Sequence, residues 1–147
     1  MSNELDLDLP APFPPAGSYV NSVVVGSLLV LGGHIPIGVD GSVVLGKLGE
    51  ELDTAAGYEA AGRAAYSALA SMRAELGSLD RVRRIVMVRG WVNATPNFVE
   101  HTKVIDGASD VFIKVFGPAG QHARIAVGVN SLPANLALEI EVLAEIA

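Results

Sequence analysis

The chain has 147 residues, the size of one ordinary domain, and a formal net charge of −6. That balance opposes a polyanion partner, because nucleic-acid binding depends on Lys and Arg neutralising phosphates. With no cysteine in the sequence, disulfides, thiolate catalysis and cysteine-based metal sites are excluded.

Half the residues are hydrophobic and mean hydropathy is +0.42, high for a small soluble monomer. Small domains have much surface for their volume, so part of this apolar surface is expected to be covered by other copies of the chain. The start, MSNELDLDLPAPFPPAG, is acidic and lacks the basic stretch and apolar run of a secretory signal. The most apolar window, Val23 to Leu31, falls far short of the ~20 residues of a spanning helix. The expectation is a cytoplasmic protein with no membrane and no nucleic-acid partner.

Prolines at 10, 12, 14 and 15 make residues 1–16 an extended tail rather than a helix, leaving 17–147 as the domain. From Tyr19 to Val25 the chain is rich in β-branched residues. Gly26-Ser27 is a two-residue turn with Gly first, as a type II′ hairpin requires, and Leu28–Leu31 returns. Asp40-Gly41, between Ile37 and Val44, predicts a second hairpin. From Asp53 to Leu76 a helix is predicted: Ala65, Ala68, Leu69, Met72 and Leu76 fall on one face, Asp53 or Thr54 suits its start and Gly77 its end. Val82–Val92 reads as a long strand.

A short helix is predicted around Val111, Phe112, Val115 and Phe116, capped by Ser109 or Asp110. Two strands end the chain, Ala123–Val129 and Leu138–Ile146. Arg124 alternates with Ile125 and Val127, and Glu139 with Leu138 and Ile140. If these strands pair, both charged side chains rise from one sheet face. The predicted order is β-β-β-α-β-α-β-β, an α+β sandwich of a mixed sheet with two helices on one face.

The residues also carry a family pattern. Gly17-Ser18-Tyr19-Val20 resembles G-P-Y, and Gly33-His34-Ile35-Pro36 resembles G-Q-I-P. The run from Ala123 to Pro133 matches A-R-x-x-V-x-V-x-x-L-P, and Leu138-Glu139-Ile140-Glu141 matches I/L-E-I-E. In their order these resemble the Rid (reactive intermediate deaminase, YjgF-like) family, while the segment between Phe98 and Arg124 departs from its common pattern. The resemblance implies a chorismate-mutase-like homotrimer with three clefts between subunits and no metal or organic cofactor. It also implies hydrolysis of reactive enamines and imines to keto acid and ammonium, as in 2-iminobutanoate/2-iminopropanoate deaminases. Carried onto this chain, Arg124 holds the carboxylate of a small metabolite and Glu139 places the water. Tyr19, Gly33, His34 and Ser109 are the further substrate-binding candidates. Gly32 stands where the deaminase members usually have Ser or Thr, and His34 replaces their Gln.

Each candidate has a plainer reading. Arg124 is either a two-pronged carboxylate clamp or an arginine paired with an acid. Glu139 either works on water or is a solvated acid like Glu141 and Glu145. Tyr19 either closes the cleft or simply packs, and His34 is either an acid/base or a structural hydrogen-bonder. As functions, an imine hydrolase stands beside a module that binds a carboxylated metabolite without turnover. A ribonuclease reading is opposed by the acidic charge and by the lack of a basic or aromatic stripe. A mutase reading rests on fold alone.

Overall fold

The computed structural model describes residues 7–147. The first six residues of the tail expected over 1–16 lie outside this range. Residues 7–15 carry no regular secondary structure, and Leu7 and Leu9 pack against the core.

Strands β1 (Ser22–Val25) and β2 (Leu28–His34) form an antiparallel hairpin. Gly26 takes φ +59 and Ser27 keeps a negative φ, the type II′ pattern. The second predicted hairpin is reduced to a single bridge, Ile37 to Val43. The Asp40 carboxylate accepts bonds from the Ser42 backbone N–H (3.0 Å) and hydroxyl (2.7 Å), which forms the turn. Pro36 has no N–H to extend a ladder, and Gly46 (φ +120) turns the chain away. The expected third strand is therefore absent, and the order is β-β-α-β-α-β-β.

Helix α1 (Thr54–Leu76) is capped by Asp53, whose carboxylate accepts from the Ala56 N–H at 2.8 Å. It stops at Gly77 in the left-handed region, φ +82. Its alanines at 60, 61, 64, 65 and 68 are fully buried. Helix α2 (His101–Phe116) starts well before the cap expected at Ser109 or Asp110, and Ser109 is buried in its middle. Its buried stripe already includes Val104, Ile105 and Ala108. Gly107 breaks that stripe in the sequence for a packing reason: a Cβ there would lie 1.9 Å from the Tyr58 carbonyl oxygen. The two helices touch backbone to backbone at this point.

Strands β3 (Val82–Asn93), β4 (Ala123–Val129) and β5 (Leu138–Ile146) complete a five-stranded sheet of order β1-β2-β5-β3-β4. β5 runs antiparallel to β2 and β3, and β4 runs parallel to β3. Leu29, Leu31, Ile85, Val88, Leu138, Ile140 and Val142 share one buried core with the residues of α1 and α2. The helices thus cover one face. On the other face Ile125 and Val127 remain 48% and 41% exposed. Among the described residues no helix is long and apolar enough to cross a membrane.

Gly107→Ala should force α1 and α2 apart. The expected loss is roughly 1–3 kcal/mol, the usual cost of overpacking, read as a lower denaturation midpoint. Unchanged stability would show that the contact yields freely.

Candidate active site

The predicted site residues fall into two groups that a single chain does not bring together. β3 lies between β4 and β5, so the strands carrying Arg124 and Glu139 do not pair. Arg124 and Ala126 face α2, and Gly128 on the same side meets His101. Glu139 alternates with the buried Leu138 and Ile140 and so faces away from the helices. The expectation that both side chains rise from one face is corrected: two strand spacings of about 4.8 Å and the thickness of the sheet separate them.

The first group lines a cavity of about 430 Å³ that contains Tyr19, Gly33, His34 and Glu139. Its shape depends on a β-bulge. Leu31 pairs with Val142 and His34 with Ile140, so three steps along β2 match two along β5. The extra residue reverses the alternation. His34 turns inward, 4% exposed, and Gly33 turns toward Glu139. A Cβ on Gly33 would stand 3.0 Å from Glu139 Oε2, so the missing side chain leaves room for the carboxyl.

Glu139 and Glu141 differ in kind despite their alternation. Arg89 is in register with Glu141 across β3–β5 and pairs with it at 2.5 Å. Glu139 is in register with Trp91 and has no ion pair or hydrogen bond among the described residues. Burial without a cation pushes its pKa above the usual carboxylate range. The cavity wall is otherwise mostly apolar, with Phe13, Ile35, Leu45 and Leu136 among its lining. Tyr19 is 57% exposed, and its hydroxyl accepts the Ala16 N–H at 3.1 Å. It lies in a bend before β1 rather than in a strand.

His34 is bound at both ring nitrogens. Nδ1 donates to the Gly32 carbonyl (2.7 Å), leaving Nε2 to accept the Ser71 hydroxyl (2.7 Å). Burial lowers its pKa, which favours the neutral ring. In this arrangement His34 joins β2 to α1 and has no nitrogen free for a ligand.

The second group lies between α2 and β4. Arg124 Nη1 donates to Asp106 Oδ1 at 2.7 Å and to Ser109 Oγ at 3.0 Å, and Nη2 donates to the Thr102 carbonyl at 3.2 Å. Ser109 in turn donates to His122 Nε2 (2.8 Å), whose Nδ1 donates to the Gly120 carbonyl (2.6 Å). Burial first, and then the nearby Arg124 cation, lower the His122 pKa. The Asp106 carboxylate shows what this guanidinium is disposed to bind.

Sequence reading missed several participants. Buried Asn93 at the end of β3 donates to Asn135 Oδ1 (3.0 Å) and to the Gly46 carbonyl (3.3 Å), and accepts from Lys47 Nζ (2.8 Å). These bonds tie together loops that wall the cavity. Ser67 lines the cavity from α1. Its only signal in the sequence was a position four residues before Ser71 in an alanine-rich stripe.

The YjgF/chorismate mutase-like family, described as "putative endoribonuclease", matches residues 4–146. The Trypanosoma cruzi protein TCP17 is 41% identical over 143 residues, 97% of this chain and 89% of that protein. The crystal structure of Atu1372 from Agrobacterium tumefaciens, of unknown function, is 40% identical with a TM-score of 0.86, covering 91% of this chain and 86% of that one. A Shewanella oneidensis structure, also described as a "putative endoribonuclease", is 31% identical with a TM-score of 0.92, covering 97% and 95%. The chain belongs to the YjgF-like (Rid) family, with its mixed α+β fold.

Glu139 should leave a signature in stability against pH. Its folded pKa is raised, so between the usual glutamate value and the raised one the folded state binds more protons than the unfolded state. Its contribution is therefore lost as pH rises through that window. Melting temperatures of Glu139→Gln and wild type, compared from pH 4.5 to 8, should diverge in favour of the variant and then run parallel. His34 and His122 are common to both proteins and cancel in the difference. A constant difference across the range would show that Glu139 titrates normally.

Proposed function

We propose that the chain is a cofactor-free hydrolase of imines or enamines derived from 2-amino acids, working as a homotrimer with each site shared by two copies. The observation that carries this reading is the unpaired, half-buried Glu139 carboxyl in a mostly apolar cavity. A carboxyl with a raised pKa can hold a proton nearer neutral pH and exchange it with water or substrate. In this reading Glu139 orients the attacking water and takes its proton as the water adds to the imine carbon. The proton then passes to the leaving nitrogen, giving keto acid and ammonium.

A carboxylate-bearing substrate also needs a cation, and the cavity lining holds none. Within one chain Arg124 faces the other way. The exposed Ile125 and Val127 alternate with Arg124 on the edge strand β4. In this reading the edge strand β4 of a neighbouring copy brings its Arg124 to the Glu139 cavity. The substrate carboxylate would then replace Asp106 on Arg124.

A second reading, binding without turnover, is favoured by one observation: Arg124 is already satisfied by three acceptors of its own chain. The endoribonuclease description carried by the family fits less well. The net charge is −6, and the cavity lining presents a carboxyl and no cation to a phosphate backbone.

Purified protein supplied with freshly generated imines should release keto acid above the uncatalysed rate. Glu139→Gln should slow release by roughly 10²–10⁴-fold. Arg124→Ala should weaken carboxylate binding by roughly 1.5–3 kcal/mol. Refolding the two inactive variants together should restore part of the activity, because mixed trimers contain sites with both residues intact. No recovery on mixing would refute the shared site. Binding without release by wild type would favour the second reading.

A further inference from the structure

The three acceptors of Arg124 differ in how firmly they are fixed. The Asp106 side chain is 49% exposed, against 17% for that of Arg124, so the carboxylate can turn into solvent. The Thr102 carbonyl belongs to the backbone of α2. Ser109 is buried in the middle of the same helix. A serine inside a helix usually turns its hydroxyl to solvent or to the carbonyl one turn back. Ser109 instead gives its hydrogen to His122 Nε2, 2.8 Å away.

The direction of that bond is set from the far side of the ring. Nδ1 lies 2.6 Å from the Gly120 carbonyl, which can only accept, so Nδ1 carries the hydrogen. Burial, and then the Arg124 cation, favour the neutral ring and leave Nε2 as an acceptor. The serine hydrogen is thereby committed to the ring, and the lone pairs of its oxygen to Arg124 Nη1 at 3.0 Å. The ring itself is confined. Phe112 meets it edge to face, with centroids 6.0 Å apart. Gly120 packs so closely on α2 that a Cβ there would stand 2.2 Å from the Phe112 carbonyl oxygen.

We propose that His122 is a positioning residue for substrate binding: acting through Ser109, it holds the Arg124 guanidinium in place while the Asp106 carboxylate gives way to that of the substrate. The assignment rests on the reading of Arg124 as the carboxylate clamp. Neither His122 nor Ser109 touches substrate in it. A guanidinium that is already ordered loses less side-chain freedom when a ligand arrives, which adds affinity without a new contact. The cluster thus has two parts with opposite effects. Ser109 and His122 prepare the cation, and Asp106 competes for it.

Two substitutions that each keep one half of the ring separate these roles. In His122→Gln the side-chain amide brings an acceptor near the place of Nε2. In His122→Asn the shorter amide reaches only the place of Nδ1 and keeps the Gly120 bond alone. Calorimetric titration of the purified protein would use pyruvate and 2-oxobutanoate as carboxylate probes. Ser109→Ala and His122→Asn should each weaken binding by roughly two- to ten-fold, the range of one neutral hydrogen bond. His122→Gln should recover most of that loss. Combining Ser109→Ala with His122→Asn should cost no more than either alone, because both cut the same chain of bonds. Asp106→Asn should bind more tightly than wild type. Nitrogen NMR of the wild-type protein should find the His122 hydrogen on Nδ1 and none on Nε2. In turnover, His122→Asn should raise KM and leave kcat nearly unchanged. A hydrogen on Nε2, wild-type affinity in His122→Asn, equal losses in His122→Gln and His122→Asn, or weaker binding in Asp106→Asn would each overturn the proposal. Wild type that binds neither keto acid would remove the clamp reading and the proposal with it. If the binding order holds but the matching imines release no keto acid, only the hydrolase reading fails.

Discussion

The position of β3 governs the rest of the molecule. It pairs antiparallel with β5 on one side and parallel with β4 on the other, and residues along Met87–Val92 belong to both ladders. The two C-terminal strands, close in sequence, are held two strands apart. Side chains on β4 and β5 then become independent choices of face. Arg124 is committed to α2, and Glu139 to the side the helices leave open. A single chain therefore does not bring Arg124 and Glu139 to one small molecule.

Around Glu139 the arrangement depends on what is missing as much as on what is present. Gly33 lacks the Cβ that would press on the carboxyl, and Arg89 is in register with Glu141 instead. The result is one acid engaged in the sheet and, two residues earlier, another left without a counter-charge. Environment separates these two side chains: Arg89 pairs with one and no cation faces the other.

Much of the fold was legible in the sequence because local signals agreed with tertiary packing. α1 has its cap, its apolar stripe and its terminal glycine, and the last strands show clear alternation. α2 was only half legible, since Gly107 answers to the Tyr58 carbonyl, a contact no local pattern encodes. The Asp40-Gly41 turn was real, but its strands were not, because ladder length depends on partners far along the chain. Around the cavity, the motif residues Tyr19, Gly33, His34 and Glu139 line one space. Their relation to Arg124 was misjudged, because sheet order is a long-range property. Ser67 and Asn93 were invisible, since a buried serine or asparagine gains its meaning only from its neighbours.

The bulge at Gly32–Gly33 also bears on how the sheet is assembled. A β-strand can slip along its neighbour, and a slip of one residue exchanges its two faces. β2 is rich in leucine and valine, and alternation alone marks its register weakly. The extra residue divides the strand into two segments of opposite phase. Only one alignment then buries Leu29 and Leu31 on one side of the interruption and His34 beside Ser71 on the other. The histidine–serine bond thus acts as an alignment key. A strand docked one step out of place would bury a ring nitrogen with no partner, so the irregularity that shapes the cavity also rejects mispaired sheets.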